Sequence, residues 1–486
     1  MLELRDYQHN ALTLLRDGFA AGHRSQLLYL GTGGGKTEIA IAMLEAAKKK
    51  GSRSAMILDR IVLCDQTSKR LEKYGIDHGV MQAQHWRYRP YEHIQVCSAQ
   101  TLEKKGEFPG LNLLIVDEAH NSRQQTIEFI KNNPHVKVIG LTATPFTKGL
   151  GAIYQNVVSP ITTKQLVNNG SLVPLKVFIA KEIDMEGAKK VAGEWSQADS
   201  TERGMKITGD VVTEWIKKTH EIYGKPMKTI VFASGVAHGI DLANKFAEQG
   251  YNFISISYKD DDQFKKDVIE DFSKPDTTIN GLIATDILTK GFDCSDVHIG
   301  ISARPFSKSL SSHIQQMGRV MRPHPSKQFS TWLCHSGNYL RFREDWDTVF
   351  EDGVKELDDS REKTKKEKTE KEKKESKCPK CGALWHGGDV CVNCGFVRDI
   401  KSLISSVPGE MTELAGSNRE SKQEFWSMMC HKKKFGGWSD GRAAHTYREK
   451  FGVWPKGLNE TPVLPSLECE KFIKHRMMVY LKSKGR

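Results

Sequence analysis

Five apolar runs, QLLYLG, AMILD, IQVCS, LNLLIVDE and VKVIGLTAT, recur through the first 150 residues, with amphipathic stretches between them. Short runs rich in Leu, Ile and Val read as buried strands. The stretch KTEIAIAMLEAAKKK has helical spacing and ends in basic residues followed by Gly51, which suits a helix C-terminus. Strand–helix alternation predicts a parallel α/β sheet. The pattern pauses over about 150–205. It then resumes with KTIVFASG, a helix from Val236 to Glu248, and the runs NFISISY, NGLIATD, VHIGISARP and STWLCHS. The expected fold class is therefore α/β, with two doubly wound lobes over residues 1–165 and 166–350.

The rest of the chain breaks this pattern. From Asp358 to Lys377 there is no apolar residue, so 351–377 reads as a charged linker, either a solvated helix with i,i+4 ion pairs or an unstructured spacer. A cysteine module follows at 378–397 and a basic region at 398–486. Of the net charge of +12, about +7 lies in that last region, from seventeen Lys and Arg against ten Asp and Glu. A basic surplus favours a polyanionic partner such as nucleic acid. No run is long and apolar enough to predict a membrane span, and MLELRDYQHN carries charges where a signal peptide needs an apolar stretch. The expectation is a protein of the cytoplasm, associated with the nucleoid, or of a host's cytoplasm if phage-encoded. In that compartment Cys64, Cys97, Cys294, Cys334, Cys430 and Cys469 read as small buried hydrophobes.

Between the first strand and the first long helix lies GTGGGKT, Gly31 to Thr37. A phosphate chain needs close backbone N–H donors, and the loop Thr32, Gly33, Gly34, Gly35 permits that approach at a helix N-terminus. Lys36 is placed to reach the β- and γ-phosphates, and the Thr37 hydroxyl to ligate Mg²⁺. The general phosphate-loop pattern wants glycine where Leu30 stands, so the loop belongs to a variant that begins one position later. In LLIVDEAH an apolar strand delivers Asp117 and Glu118 to its C-terminal edge, where α/β sheets bind ligands. Asp117 suits Mg²⁺, and Glu118 suits orienting and deprotonating an attacking water.

These two motifs resemble those of the DEAH-box helicases of superfamily 2, and the resemblance extends across both lobes. It implies two RecA-like lobes with ATP and Mg²⁺ in the cleft. LRDYQ, with Arg5 and Gln8, is similar to the family's adenine-reading segment. DRIVLCDQ and SAQTL, with Arg60, Gln100 and Thr101, resemble its strand-contact segments, and TATP its coupling motif. ATDILTKGFD, with Thr285, Gly291 and Asp293, and QQMGRVMRP resemble the last two motifs. The resemblance implies nucleotide contacts for Gly291 and Asp293 and a nucleic-acid contact for Thr285. It further implies that Arg319 and Arg322 are arginine fingers from the second lobe and that Gln315 helps to position water.

Cys378-x2-Cys381-x9-Cys391-x2-Cys394, with a glycine after each pair, has the spacing of a structural Zn²⁺ ribbon. In the tail, Trp438, Tyr447, Phe451 and Trp454 interleave with Arg442, Arg448 and Lys450. This composition fits either nucleic-acid stacking or the core of a small helical unit. Two lobes, a four-Cys ribbon and a basic tail in this order resemble the RadD-type bacterial DNA-repair helicases. The implied partner is single-stranded or branched DNA in preference to RNA, with a single-strand-binding protein as a further candidate. Two rivals remain open: the motor subunit of a restriction system, and an ATP-gated clamp that never separates strands.

Overall fold

A computed structural model of the chain describes residues 2–82, 85–105, 110–179, 190–191, 194–195, 210–285, 294–306, 308–358, 412–413, 419–451, 453–466, 469–470 and 472–473. The first sheet holds β1 (Ser25–Tyr29), β2 (Ser54–Leu58), β3 (Gly79–Met81), β4 (Ile94–Ser98), β5 (Leu113–Val116), β6 (Lys137–Thr142) and β7 (Asn156–Val158), in spatial order β3-β4-β2-β5-β6-β1-β7. All its pairings are parallel. β1, β2 and β4 are buried along their whole length, as a sheet covered by helices on both faces requires.

The second sheet begins with β8 (Leu175–Ile179). After a two-residue hairpin pair, β9 (Lys190–Val191) and β10 (Glu194–Trp195), come β11 (Thr229–Ala233), β12 (Phe253–Ser257), β13 (Gly281–Thr285), β14 (Ile299–Ala303), β15 (Ser330–Cys334) and β16 (Thr412–Glu413). The spatial order is β12-β13-β11-β14-β15-β8-β16. Place by place this repeats the first sheet, with β8 where β1 stands and β11 where β2 stands. Trp215, fully buried on the helix Val211–Tyr223, anchors this lobe. Its ring meets Phe246, Tyr251 and Phe253 edge-on, and its Nε1 donates to Thr229 Oγ1 at 2.7 Å.

The lobes are joined by the helix Thr163–Asn168, which packs on the helix Arg343–Asp352 through Lys164–Glu351 at 2.7 Å. The boundary expected at 165/166 falls inside this connecting helix. Beyond Asp352 the chain returns to the first lobe, where Leu357 packs into its core and Gly151 N donates to Asp358 O at 3.0 Å.

In the tail, the helices Arg419–Phe435 and Asp440–Phe451 enclose Phe425, Trp426, Met429, Tyr447 and Phe451. Tyr447 and Phe451 thus serve as core, while Trp438 and Trp454 lie at its rim beneath Arg442 (4.1 Å) and Arg448 (4.8 Å). The tail also contacts the second lobe. Lys422 pairs with Asp347, Lys456 with Glu344 at 3.1 Å, and β16 pairs antiparallel with β8. The six scattered cysteines are buried thiols outside any disulfide. The four-cysteine module at 378–397 and most of the charged linker lie outside the described residues. No helix among the described residues is long and apolar enough to cross a membrane.

Candidate functional site between the two lobes

The register of the first sheet sets the position of the site. Tyr29 in β1 pairs with Thr142 in β6, and Val116 in β5 pairs with Gly140 in β6. The loop after β1, the TATP segment after β6 and the Asp117–Glu118 pair after β5 therefore emerge side by side at one C-terminal sheet edge. Open α/β sheets bind ligands at such an edge.

Gly33 and Gly35 adopt φ of 88° and 83°, left-handed values that favour glycine, and Gly34 N donates to Gly31 O at 3.0 Å. Gly35 caps the helix Lys36–Lys49, whose first N–H groups have no intrahelical acceptor. The helix Asp6–Ala20 braces this loop from behind. Tyr7 Oη donates to Gly34 O at 3.0 Å, and Gln8 Nε2 donates to Gly35 O at 3.3 Å. Gln8 Oε1 in turn accepts from Arg5 N at 2.8 Å. Gln8 is buried against the loop, while Arg5 is exposed at the helix start.

Lys36 Nζ donates to Leu30 O at 3.3 Å. Burial pushes its ammonium below the ordinary lysine range, Glu118 and Asp117 pull it back up, and Arg319 and Arg322 oppose them. A lysine so placed, between two carboxylates and two guanidiniums, sits where charge is concentrated. Glu118 has φ of 46°, the one non-glycine residue with positive φ among the described residues. That conformation costs roughly 1–3 kcal/mol and is typical of functional sites. His120 lies between Glu118 and the TATP segment: its Nδ1 is 3.3 Å from Glu118 Oε2, 2.9 Å from Thr142 Oγ1 and 3.4 Å from Thr144 Oγ1.

The second lobe closes the site. A cleft of about 320 Å³ is lined by Thr32, Gly33, Gly35, Lys36, Thr37, Asp117 and Glu118 on one side and by Ser295, Arg319 and Arg322 on the other. Arg319 comes from the helix Leu310–Val320. Gln315 lies one turn earlier on that helix, buried and not among the cleft-lining residues. Gly318 lets the lobes meet, since a Cβ there would fall 2.4 Å from Thr32 Cβ.

Lys327 was not singled out by sequence, because its environment comes from segments distant in the chain. Its buried ammonium donates to the carbonyls of Val320 (2.6 Å), Arg322 (2.8 Å), Val297 (2.8 Å) and Ser295 (3.1 Å). Burial pushes it down to about 7, while the charge of Asp296 favours the ammonium. One side chain thus holds together two cleft-wall segments of the second lobe.

The site fits a magnesium nucleotide: two carboxylates, a threonine hydroxyl and a lysine line one cleft with the glycine loop, which packs so closely on the helix behind it that a Cβ at Gly35 would fall 2.4 Å from Gln8 Nε2. Of the expected nucleic-acid residues, Arg60 caps the helix Ile61–Lys73 after β2, and Gln100 and Thr101 follow β4, all at the same sheet edge. Thr285 is buried at the end of β13. Gly291 and Asp293 lie outside the described residues.

Residues 1–147 match the family described as Type III restriction enzyme, res subunit, and residues 214–324 match Helicase conserved C-terminal domain. A "51.5 kDa protein" of a Lactococcus phage is 26% identical over 368 residues, 73% of this chain and 74% of the phage protein. The Saccharomyces cerevisiae protein named as ATP-dependent helicase IRC3 is 27% identical over 69% of this chain. The match spans 51% of that yeast protein, about half its length. In fold, the chain is similar to a fragment of an HsdR subunit of a type I restriction enzyme from Vibrio vulnificus YJ016. That likeness has a TM-score of 0.56 and 18% identity, covering 73% of this chain and 67% of the other. With one side of the cleft matched by a Type III restriction enzyme res-subunit family and the other by a helicase C-terminal domain, the two lobes are of the superfamily 2 helicase type.

Proposed function

We propose that this chain is an ATP-driven translocase or helicase acting on single-stranded or branched DNA, of the DEAH-box kind and of the RadD-like type that serves repair or recombination. The observation that carries the reading is the shared cleft, lined by Lys36, Asp117 and Glu118 from one lobe and Arg319 and Arg322 from the other. In this reading the loop amides and Lys36 hold the phosphates. Glu118 takes the proton of the attacking water, and the two arginines neutralise charge that develops on the transferred phosphoryl group. Thr37 and Asp117 would hold Mg²⁺, which supplies charge neutralisation at the phosphates. Because the arginines belong to the second lobe, hydrolysis requires closure, and closure moves one lobe along a bound strand. The net charge of +12 supports a polyanionic partner. A restriction-system motor is the second reading, favoured by the family matched over residues 1–147.

The test is a forked DNA duplex and a duplex carrying a displaceable third strand, each with ATP. The proposal expects third-strand displacement that depends on Lys36, with or without fork unwinding. ATP turnover stimulated by DNA with neither strand displaced points instead to an ATP-gated clamp.

We also propose that Cys378, Cys381, Cys391 and Cys394 hold one structural Zn²⁺, supported by their ribbon spacing. Mass spectrometry of the native protein then finds one zinc per chain. Changing Cys378 and Cys381 to Ser removes it, and metal-free wild-type protein contradicts the assignment.

The lobe contact gives two sharper expectations. Gly318→Ala places a methyl group against Thr32, so the arginines are held back from the phosphates. Displacements near 1 Å cost about 10²-fold in rate. Turnover therefore falls by about that factor while a non-hydrolysable ATP analogue still binds, and unchanged turnover removes the steric account. Lys327→Met leaves the carbonyls of Ser295, Val297 and Arg322 without this donor, while Val320 O keeps Ser330 Oγ. The melting temperature falls, and maximal turnover falls by more than KM rises, because the displaced arginines act on the transition state. A rise in KM at unchanged maximal turnover contradicts a positioning role for Lys327.

A further inference from the structure

Between β3 and β4 the chain runs HWRYRPYEH, and this strap keeps three large aromatic side chains in solvent: Trp86 at 71% exposure, Tyr88 at 50% and Tyr91 at 72%. Such exposure in a loose loop would mean little, but this strap is fixed. Val80 N, on the edge strand, donates to Arg87 O at 2.9 Å, and Gln95 Nε2 donates to Arg89 O and Glu92 O, both at 2.9 Å. Arg53 Nη2 donates to Pro90 O at 2.8 Å. The backbone is spent on holding the segment down, and the rings are left outside.

Trp86 is the most built of the three. The Arg87 guanidinium carbon lies 4.8 Å from its ring centroid, and the His85 ring stacks at 5.9 Å with 26° between planes. Arg87 is itself anchored to Glu72 at 2.6 Å, and His85 lies 3.6 Å from Asp65. Both carboxylates are on the helix Ile61–Lys73, so the strap is braced against the element that Arg60 caps. The sheet order β3-β4-β2 gives the direction. Along the C-terminal edge, Arg60 follows β2, Gln100 and Thr101 follow β4, and the strap leaves β3. Ile61 and Val62, next to Arg60 in the chain, are also exposed.

We propose that Trp86 is a stacking platform for a base of single-stranded nucleic acid, at the outer end of the edge that carries Arg60, Gln100 and Thr101. This rests on the nucleic-acid reading above. An indole held by a guanidinium and an imidazole offers its π-surface to any base, and the nearby Glu72 is already matched by Arg87. The Arg87 guanidinium at the ring and the chain's net charge of +12 fit a polyanion better than a protein surface.

The test compares the wild-type chain with Trp86→Ala and Trp86→Phe, all checked for equal melting temperature, by fluorescence anisotropy on a labelled oligothymidylate and on a blunt duplex across a salt series. Stacking on one base is worth about 1–3 kcal/mol, so Trp86→Ala weakens oligothymidylate binding by roughly five- to hundred-fold. The slope of log affinity against log salt stays that of the wild type, because no cation is lost, and Trp86→Phe recovers most of the affinity. Wild-type affinity in Trp86→Ala, or a loss confined to the duplex, overturns the platform while the nucleic-acid reading stands. A wild-type chain that binds neither probe overturns both.

Discussion

Glu118→Gln binds ATP with near wild-type affinity and hydrolyses it about 10²–10⁴-fold more slowly, the range for loss of a positioned general base. The amide keeps the size of the carboxylate but cannot take the proton of water. The backbone there already sits at φ 46°, so the side chain is aimed by the turn that follows β5 and the substitution leaves the turn in place. His120, 3.3 Å away, bridges to Thr142 and Thr144, so the state of the carboxylate reaches the TATP segment through one ring. Glu118→Gln with ATP therefore accumulates the closed form and holds DNA longer than the wild type does. Rapid mixing with a nucleotide analogue, together with DNA dissociation rates, measures both effects. Loss of nucleotide binding in this variant means that Glu118 is structural.

Arg319→Ala lowers turnover by about 10³–10⁵-fold, as removal of an arginine finger does. The cause is electrostatic: Arg319 and Arg322 already act on Lys36 across the cleft, so their field reaches the place where phosphoryl charge develops. ATP affinity changes little, because the loop and Lys36 belong to the other lobe. Arg319→Lys recovers only part of the rate, since an ammonium does not reproduce the planar fork of a guanidinium. A large loss of affinity at unchanged maximal rate instead assigns Arg319 to ground-state binding.

Much of this site can be read in the linear sequence, for a physical reason. The phosphate loop and the Asp117–Glu118 pair are local events, a strand end and the turn after it, so residue order alone places them. The helix from Val236 to Glu248 has the same bounds in sequence pattern and in structure, because its apolar face repeats regularly. β8 was hidden in the apparent pause after residue 150. LKVFI has an exposed Lys176 and becomes a strand through its pairing with β15 on one side and β16 on the other. β3, only Gly79–Met81, is likewise defined by its neighbour β4. The roles of Gly318 and Lys327 depend on atoms from distant segments: Thr32 for the glycine, and the carbonyls of Ser295 and Val297 for the lysine. Gln8 shows the converse. Its motif was legible, but the fold places its amide on the glycine loop, a bracing contact that motif order alone does not reveal.

The central claim is that one cleft, completed by the second lobe, hydrolyses ATP in response to nucleic acid. The most direct measurement is the steady-state ATP hydrolysis rate of the wild type and of Lys36→Ala, each with and without single-stranded DNA. The account predicts a wild-type rate that rises on adding DNA and a Lys36→Ala rate at background in both conditions. Hydrolysis by Lys36→Ala within a few-fold of the wild type, or a wild-type rate indifferent to DNA, RNA and forked duplex alike, contradicts it.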